Sequence, residues 1–146
     1  MIFFFDRNIS VHIARMLDDF DRVHNIVHQD DDGRFERDSE DVYIIKTLGS
    51  ATERPCWITA DISQLKNPAE RAALRDSGMT IFFCRRMAVT PHHQAVKFVV
   101  IWPRIVERAE TARLATAFEV PFGKIRGQLN QKITRLGNTA DLFKGD

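Results

Sequence analysis

The sequence has little of several features that mark common classes of protein. Only two cysteines occur among 146 residues, Cys56 and Cys84, and they form no CxxC pair, so we expect both to be reduced and packed in strands. The first apolar run ends at Asp6, which makes it too short for a signal peptide. No run approaches the roughly 20 apolar residues of a membrane span. These absences predict a cytoplasmic protein without membrane association.

Motifs for several kinds of chemistry are also missing. The seven glycines are scattered and form no phosphate-binding loop, which argues against nucleotide triphosphates. No GxSxG motif accompanies the serines, and the five histidines form no HExxH motif, so neither a serine hydrolase nor a zinc site is expected. The net charge is only +1, with −3 over residues 1–96 and +4 over residues 97–146. That modest asymmetry is compatible with RNA or an acidic partner.

What the sequence does contain is an alternation of strand-like and helix-like segments. Apolar runs predict strands at 2–5, 23–27, 56–60, 79–84 and 118–122. Periodic segments predict helices at 10–20, 38–48, 67–77 and 124–136, and a further helix that starts at 90 and is interrupted or kinked near 102–103. This order predicts an α/β fold with a mostly parallel sheet covered on both faces. We expect one domain over 1–146, with a core of about 1–122 and a C-terminal helical extension of about 123–146.

Three aspartates fall where strands end or a helix begins. Asp6 and Asp61 each follow a strand-like run, and Asp41 lies near the start of a helix. With Asp38 as the helix cap, Asp41 would occupy the third helical position, on the face of the buried side chains. All three would lie on the carboxyl edge of the sheet, where open α/β sheets bind ligands. Three carboxylates form a hard oxygen site for Mg²⁺ or Mn²⁺, although each could instead be a turn or cap residue.

Short motifs in the first 84 residues resemble the PIN-like domains of VapC-type ribonuclease toxins. They are Phe5-Asp6-Arg7-Asn8, Asp41-x-x-Ile44, Ile58-Thr59-Ala60-Asp61 and the stretch from Pro68 to Gly78. The resemblance implies a three-layer α/β/α sandwich and a ribonuclease that depends on Mg²⁺ or Mn²⁺. It also implies RNA as substrate, an antitoxin protein as partner, and a homodimer.

By motif match, the resemblance gives the catalytic and metal-binding roles to Asp6, Asp41 and Asp61, with Asn8 and Thr59 in support. Ser63 follows Asp61 by two residues and could shape the site or serve only in a turn. Arg7, Arg85 and Arg86 are candidates for binding RNA phosphates, because guanidinium groups pair well with them. Arg85 and Arg86 also mark a departure, since PIN domains often carry a further acid after the fourth strand.

Two alternatives stay open from the sequence. A degenerate PIN-like domain with too few acids would bind RNA or protein without cleaving it. An aspartyl-phosphate site of the phosphatase or response-regulator kind would use an Asp nucleophile. That site needs a lysine at a strand end, and no predicted strand ends in a suitable one.

Overall fold

A six-stranded sheet forms the centre of the molecule. The computed structural model describes residues 1–61, 63, 66–87, 89–122, 124–125, 128–129 and 132–144. The central strands are β1 (Ile2–Phe5), β2 (Asn25–His28), β3 (Cys56–Thr59), β4 (Ile81–Arg85), β5 (Thr116–Pro121) and β8 (Thr134–Asn138), and they lie in the order β2-β1-β3-β4-β5-β8. Strands β1 to β5 run parallel to one another, and β8 pairs antiparallel with β5. Two short strands, β6 (Lys124–Ile125) and β7 (Gln128–Leu129), pair with each other.

Helices cover both faces of this sheet. They are α1 (Val11–Phe20), α2 (Asp41–Gly49), α3 (Pro68–Ser77), α4 (Pro91–Thr111) and α5 (Thr139–Leu142). Apolar side chains of α1 and α4 pack against one face, around Phe5 and Phe82. Those of α2 and α3 pack against the other, around Trp57 and Phe83, together with Phe143 just after α5. The predicted α/β/α sandwich with a mostly parallel sheet is therefore confirmed.

Local sequence signals place α3 next to the carboxyl edge of the sheet. Its cap is Asn67, whose side-chain oxygen accepts from the N–H groups of Ala69 and Glu70 at 3.0 and 3.2 Å. The helix ends at Gly78, which adopts the left-handed conformation with φ of 68°. A Cβ atom there would also lie 2.6 Å from Arg54 Nη1. The left-handed backbone therefore favours glycine here, and a larger residue would also displace the end of the Arg54 side chain.

The predicted basic helix over 124–136 is wrong where the structure describes it. Lys124–Ile125, Gln128–Leu129 and the segment from Thr134 are strands, whereas 126–127 and 130–131 lie outside the described residues. The segment from Thr134 forms a strand because it pairs with β5. This pairing supplies hydrogen-bond partners to an edge of the sheet that would otherwise be open. The preceding Ile133 is buried, and this tertiary gain exceeds a weak helix propensity in a stretch interrupted by glycine.

Helix α4 runs without interruption through Pro103, where the sequence predicted a break or kink. Proline removes the hydrogen bond to the carbonyl four residues earlier, that of Val99. Both Pro103 and Val99 lie on the exposed side of the helix, so water can satisfy that carbonyl. Among the described residues, no helix is both long enough and apolar enough to cross a membrane.

Candidate active site

Asp6 is the most buried acid at the carboxyl edge of the sheet. It directly follows β1, only 5 % of it is exposed, and its N–H donates to the carbonyl of Ile58 at 2.9 Å. Its carboxylate accepts from Arg7 N–H at 2.7 Å, from the Thr59 hydroxyl at 2.9 Å and from the Asn8 amide at 3.3 Å. Burial raises its pKa, with the Thr59 hydrogen bond opposing and the charge of Asp41 adding to the rise. Asp6 is thus a desolvated carboxylate held in one orientation.

Thr59 and Asn8 form the frame that connects the ends of β1 and β3. The Thr59 side chain is fully buried, and its hydroxyl accepts from the Asp61 N–H at 3.1 Å while donating to Asp6. Asn8 donates to Thr59 Oγ1 at 3.4 Å, and its own side-chain oxygen accepts from the Ala60 N–H at 3.0 Å. Threonine serves here because it fits a strand and offers both a donor and an acceptor.

Asp61 and Ser63 form a second small unit at the end of β3. Asp61 is partly exposed, and its Oδ1 accepts from the Ser63 N–H at 2.9 Å and from the Ser63 hydroxyl. The other carboxylate oxygen has no hydrogen-bond partner among the described residues. Asp61 therefore has one oxygen fixed in the local turn and one available for a ligand.

Asp41 is the first residue of α2, not the third. The cap is Glu40, whose backbone is extended and whose side chain makes no capping hydrogen bond, so the prediction of Asp38 as cap is wrong. The helix starts later because Glu40 and the residues before it are non-helical. Asp41 is partly buried, and burial raises its pKa, with a hydrogen bond from Glu70 opposing and the charge of Asp61 adding to the rise.

Glu70 brings a fourth carboxyl group to this edge, and sequence reasoning assigned it only to a helix start. It lies at the third position of α3 and shares a hydrogen bond with Asp41. Burial, the charge of Asp41 and that hydrogen bond raise the pKa of Glu70 to about 7, and Asp61 and Asp6 add to the rise. Glu70 therefore keeps its proton to a higher pH than an ordinary glutamate, because burial and the adjacent carboxylates disfavour its charged form.

The three candidate phosphate-binding arginines differ in how they are engaged. Arg7 Nε pairs with Asp30 at 2.9 Å, and Arg85 Nε pairs with Glu119 at 3.2 Å. Arg86 is exposed, has φ of 60°, and makes no hydrogen bond or ion pair within the described part of the chain. Of the three, only Arg86 has a guanidinium group that is free to meet a ligand without first breaking a pair.

The donor chemistry of this edge suits a hard divalent cation. Burial raises the pKa values of Asp6, Asp41 and Glu70, the charges of neighbouring acids add to the rise, and a cation would oppose it. Within the described residues, however, no group of three or more His, Cys, Asp or Glu side chains is arranged so that it could hold a metal ion. An ion bound at this edge would take several of its ligands from water, as Mg²⁺ commonly does.

Comparison with known proteins gives one match. A family model described as a PIN like domain matches residues 1–86, from β1 past the end of β4, a segment that includes Asp6, Asp41, Asp61 and Glu70. No curated protein and no solved structure matches the chain. The matched segment is more than half of the 146 residues, so the chain belongs to the PIN-like domain family.

Proposed function

We propose that this protein is a divalent-metal-dependent ribonuclease. PIN-like domains are generally nucleases, typically depend on divalent metal ions and commonly bind RNA. The observation that carries the proposal is the convergence of Asp6, Asp41 and Asp61, whose charges act on one another at one sheet edge. Buried and mutually repelling carboxylates are costly to stability, and such groups cluster at functional sites.

In this proposal Asp6 and Asp61 hold Mg²⁺ or Mn²⁺, and Asp61 does so through the oxygen that has no hydrogen bond among the described residues. Thr59, Asn8 and the Arg7 N–H fix the Asp6 carboxylate, and Ser63 fixes Asp61. When bound, the ion supplies charge to polarise the scissile phosphate and to acidify a coordinated water.

Asp41 and Glu70 have a different role in the proposal. Asp41, with Glu70 beside it, would orient the attacking water or accept its proton. Glu70 stands in for the acid that is missing after β4, because its carboxyl group reaches the same cluster from α3. Arg86 would contact a phosphate of the RNA chain, with Arg7 and Arg85 joining once their present pairs are exchanged.

We further propose that the ribonuclease is the toxin of a toxin–antitoxin pair, acting in the cytoplasm as a homodimer controlled by its antitoxin protein. Residues 1–146 would act as one domain, since β8 completes the sheet that begins with β1. Induced expression should arrest growth for the wild type and not for Asp6→Asn. Growth arrest by both forms would contradict a toxic ribonuclease activity.

The alternative is a binding module that lacks catalysis. Arg85 and Arg86 lie at the end of β4, and no group of three or more His, Cys, Asp or Glu side chains among the described residues could hold a metal ion; both observations favour this second candidate.

Calorimetric titration with Mn²⁺ separates the two functions without needing the right RNA. The proposed nuclease should bind Mn²⁺, and Asp61→Asn should abolish that binding, because it removes one of the two carboxylates proposed to hold the ion. Asp19→Asn is the matched control, since it makes the same change in an exposed carboxylate near the end of α1, outside the acidic edge. Absence of Mn²⁺ binding to the wild type would refute the metal site and favour the binding module.

A further inference from the structure

A pocket of about 410 Å³ opens beside the acidic edge, within the size range of small-molecule sites. Its walls come from the end of β2 and the segment that leads to α2. It is lined by Arg7, Gln29, Asp30, Phe35 and Arg37, and is called the base pocket below. It therefore contains an aromatic ring, an amide and charges of both signs.

The base pocket is joined to the proposed metal site through a single N–H group. The Arg7 N–H donates to Asp6 Oδ1 at 2.7 Å and also lies 3.4 Å from the side-chain oxygen of Gln29. One wall of the pocket thus shares a donor with the most buried acid of the site. A nucleotide whose phosphate lies at the acids would have its base within reach of this pocket.

Gln29 carries an unused hydrogen-bonding group into the pocket. Only 3 % of the residue is exposed, yet its amide nitrogen makes no hydrogen bond within the described part of the chain. This nitrogen is not one of the fully buried side-chain atoms that lack a partner, so it meets solvent at the pocket and can donate there. A ligand acceptor in the pocket would complete the bonding of this amide.

The remaining walls are fixed in place. The Asp30 N–H donates to His28 Nδ1 at 3.0 Å, and Arg7 Nε donates to Asp30 Oδ1 at 2.9 Å, which leaves Asp30 Oδ2 without a hydrogen bond among the described residues. The Phe35 ring packs edge to face with Phe4 at 5.8 Å between centroids. The pocket therefore offers the Gln29 amide and the side chains of Arg7 and Arg37 as donors, one carboxylate oxygen as acceptor, and a small part of the buried Phe35 ring.

We propose that the base pocket binds a nucleobase of single-stranded RNA next to the cleaved phosphodiester, with a preference for guanine; this inference rests on the proposed ribonuclease function. Guanine offers an acceptor, O6, to the Gln29 amide and two donors, N1–H and N2–H₂, to Asp30. Phe35 would supply only a small apolar contact, because it is 9 % exposed and the Arg34 guanidinium lies over its ring. The other bases present fewer donors to a carboxylate on that edge.

The test uses nucleoside monophosphates and needs neither metal nor cleavage. Guanosine, inosine, adenosine, cytidine and uridine monophosphates are titrated into isotope-labelled protein with EDTA, and the side-chain amide signals of Gln29 are followed by NMR. Guanosine monophosphate should bind tightest and shift those signals. Inosine monophosphate lacks the N2 amino group and should bind about fivefold more weakly, since it loses one hydrogen bond to Asp30.

Substitutions identify the pocket as the place of binding. Gln29→Leu and Asp30→Asn should each weaken guanosine monophosphate binding roughly tenfold, because they remove the donor to O6 and the charged acceptor for N1–H and N2–H₂. Asp32→Asn is the control, as it lies in the same loop outside the pocket lining. Circular dichroism of each variant verifies folding. Equal affinity for all the nucleotides, no binding, or wild-type affinity in both Gln29→Leu and Asp30→Asn would overturn the inference.

Asp61→Asn distinguishes this inference from the function on which it rests. That variant should retain guanosine monophosphate binding and lose Mn²⁺ binding. Wild-type protein that binds the nucleotide but no Mn²⁺ would support the base pocket and refute the nuclease. Wild-type protein that binds Mn²⁺ without any nucleotide preference would refute the base pocket alone.

Discussion

Replacing Glu70 by glutamine should stabilise the protein in a way that depends on pH. Glutamine keeps the size of the side chain and its ability to donate to Asp41, but it cannot become charged. Burial and the charges of Asp41, Asp61 and Asp6 raise the pKa of Glu70 to about 7, from the ordinary value of 4.5. Between these values the folded protein binds more protons than the unfolded chain. Wild-type stability therefore falls as pH rises through this window.

The size of the effect follows from the shift. At 1.36 kcal/mol per pKa unit, the full shift of Glu70 corresponds to roughly 3 kcal/mol. The side chain is only partly buried, so solvent screens part of the repulsion. We therefore expect the stabilisation by Glu70→Gln near pH 8 to exceed that near pH 5 by about 1–2 kcal/mol. In a domain of this size that difference raises the melting temperature by about 3–7 °C.

Urea denaturation followed by circular dichroism, near pH 5 and near pH 8 with EDTA present, measures this difference. Glu107→Gln is the matched control, because Glu107 is exposed on α4, away from the acidic cluster. Its effect should change by less than about 0.5 kcal/mol between the two pH values. Equal stabilisation by Glu70→Gln at both pH values, or a loss of stability near pH 8, would refute the raised pKa of Glu70.

Three further substitutions test other parts of the structure by denaturation. Lys97 is 1 % exposed, and its amine has no hydrogen bond within the described residues. Burial lowers its pKa, so Lys97→Met should add about 1–2 kcal/mol to the free energy of unfolding near pH 7. This gain should shrink as pH rises toward about 10.4, the pKa of lysine in the unfolded chain. Thr59→Val should cost about 1–3 kcal/mol by removing the donor to Asp6, whereas Thr59→Ser should restore most of that loss. Asp21 is desolvated, yet its hydrogen bond from Trp102 at 3.0 Å helps hold its pKa below the usual range. Asp21→Asn should therefore lower the stability of the folded protein at neutral pH, and this loss should shrink as pH falls below about 4. A pH-independent effect of Lys97→Met or Asp21→Asn, or equal losses for Val and Ser at position 59, would contradict these assignments.

The sheet could be predicted because its strands are short apolar runs bounded by polar residues. The run before Asp6 and the run before Asp61 are buried on both faces of a parallel sheet, and such strands read as continuous hydrophobic segments. The helix from Pro68 was predictable from local chemistry alone, since its cap, first residue and final glycine are all in the sequence.

The C-terminal strands could not be predicted, because long-range pairing determines them. The β8 segment is polar and contains Gly137, so it has neither an apolar run nor a clear alternation. What makes it a strand is the open edge of β5, a feature that exists only after the sheet has formed. The same reasoning explains α4, since exposure of Pro103 on the folded surface decides whether that helix can continue.

Glu70 shows why a carboxylate site is harder to predict than the fold that supports it. Its position, three residues after Asn67, already has a complete local explanation as part of a helix start, so the sequence gives no signal of a second role. The helix start and the contact with Asp41 make opposite demands, because a charged Glu70 would suit the positive end of α3 but not the neighbouring acids. The raised pKa of Glu70 indicates that burial and the neighbouring acids outweigh the favourable effect of the helix end. An acidic residue whose tertiary environment overrides a favourable local one is therefore a better candidate for function than an acid that satisfies a cap alone.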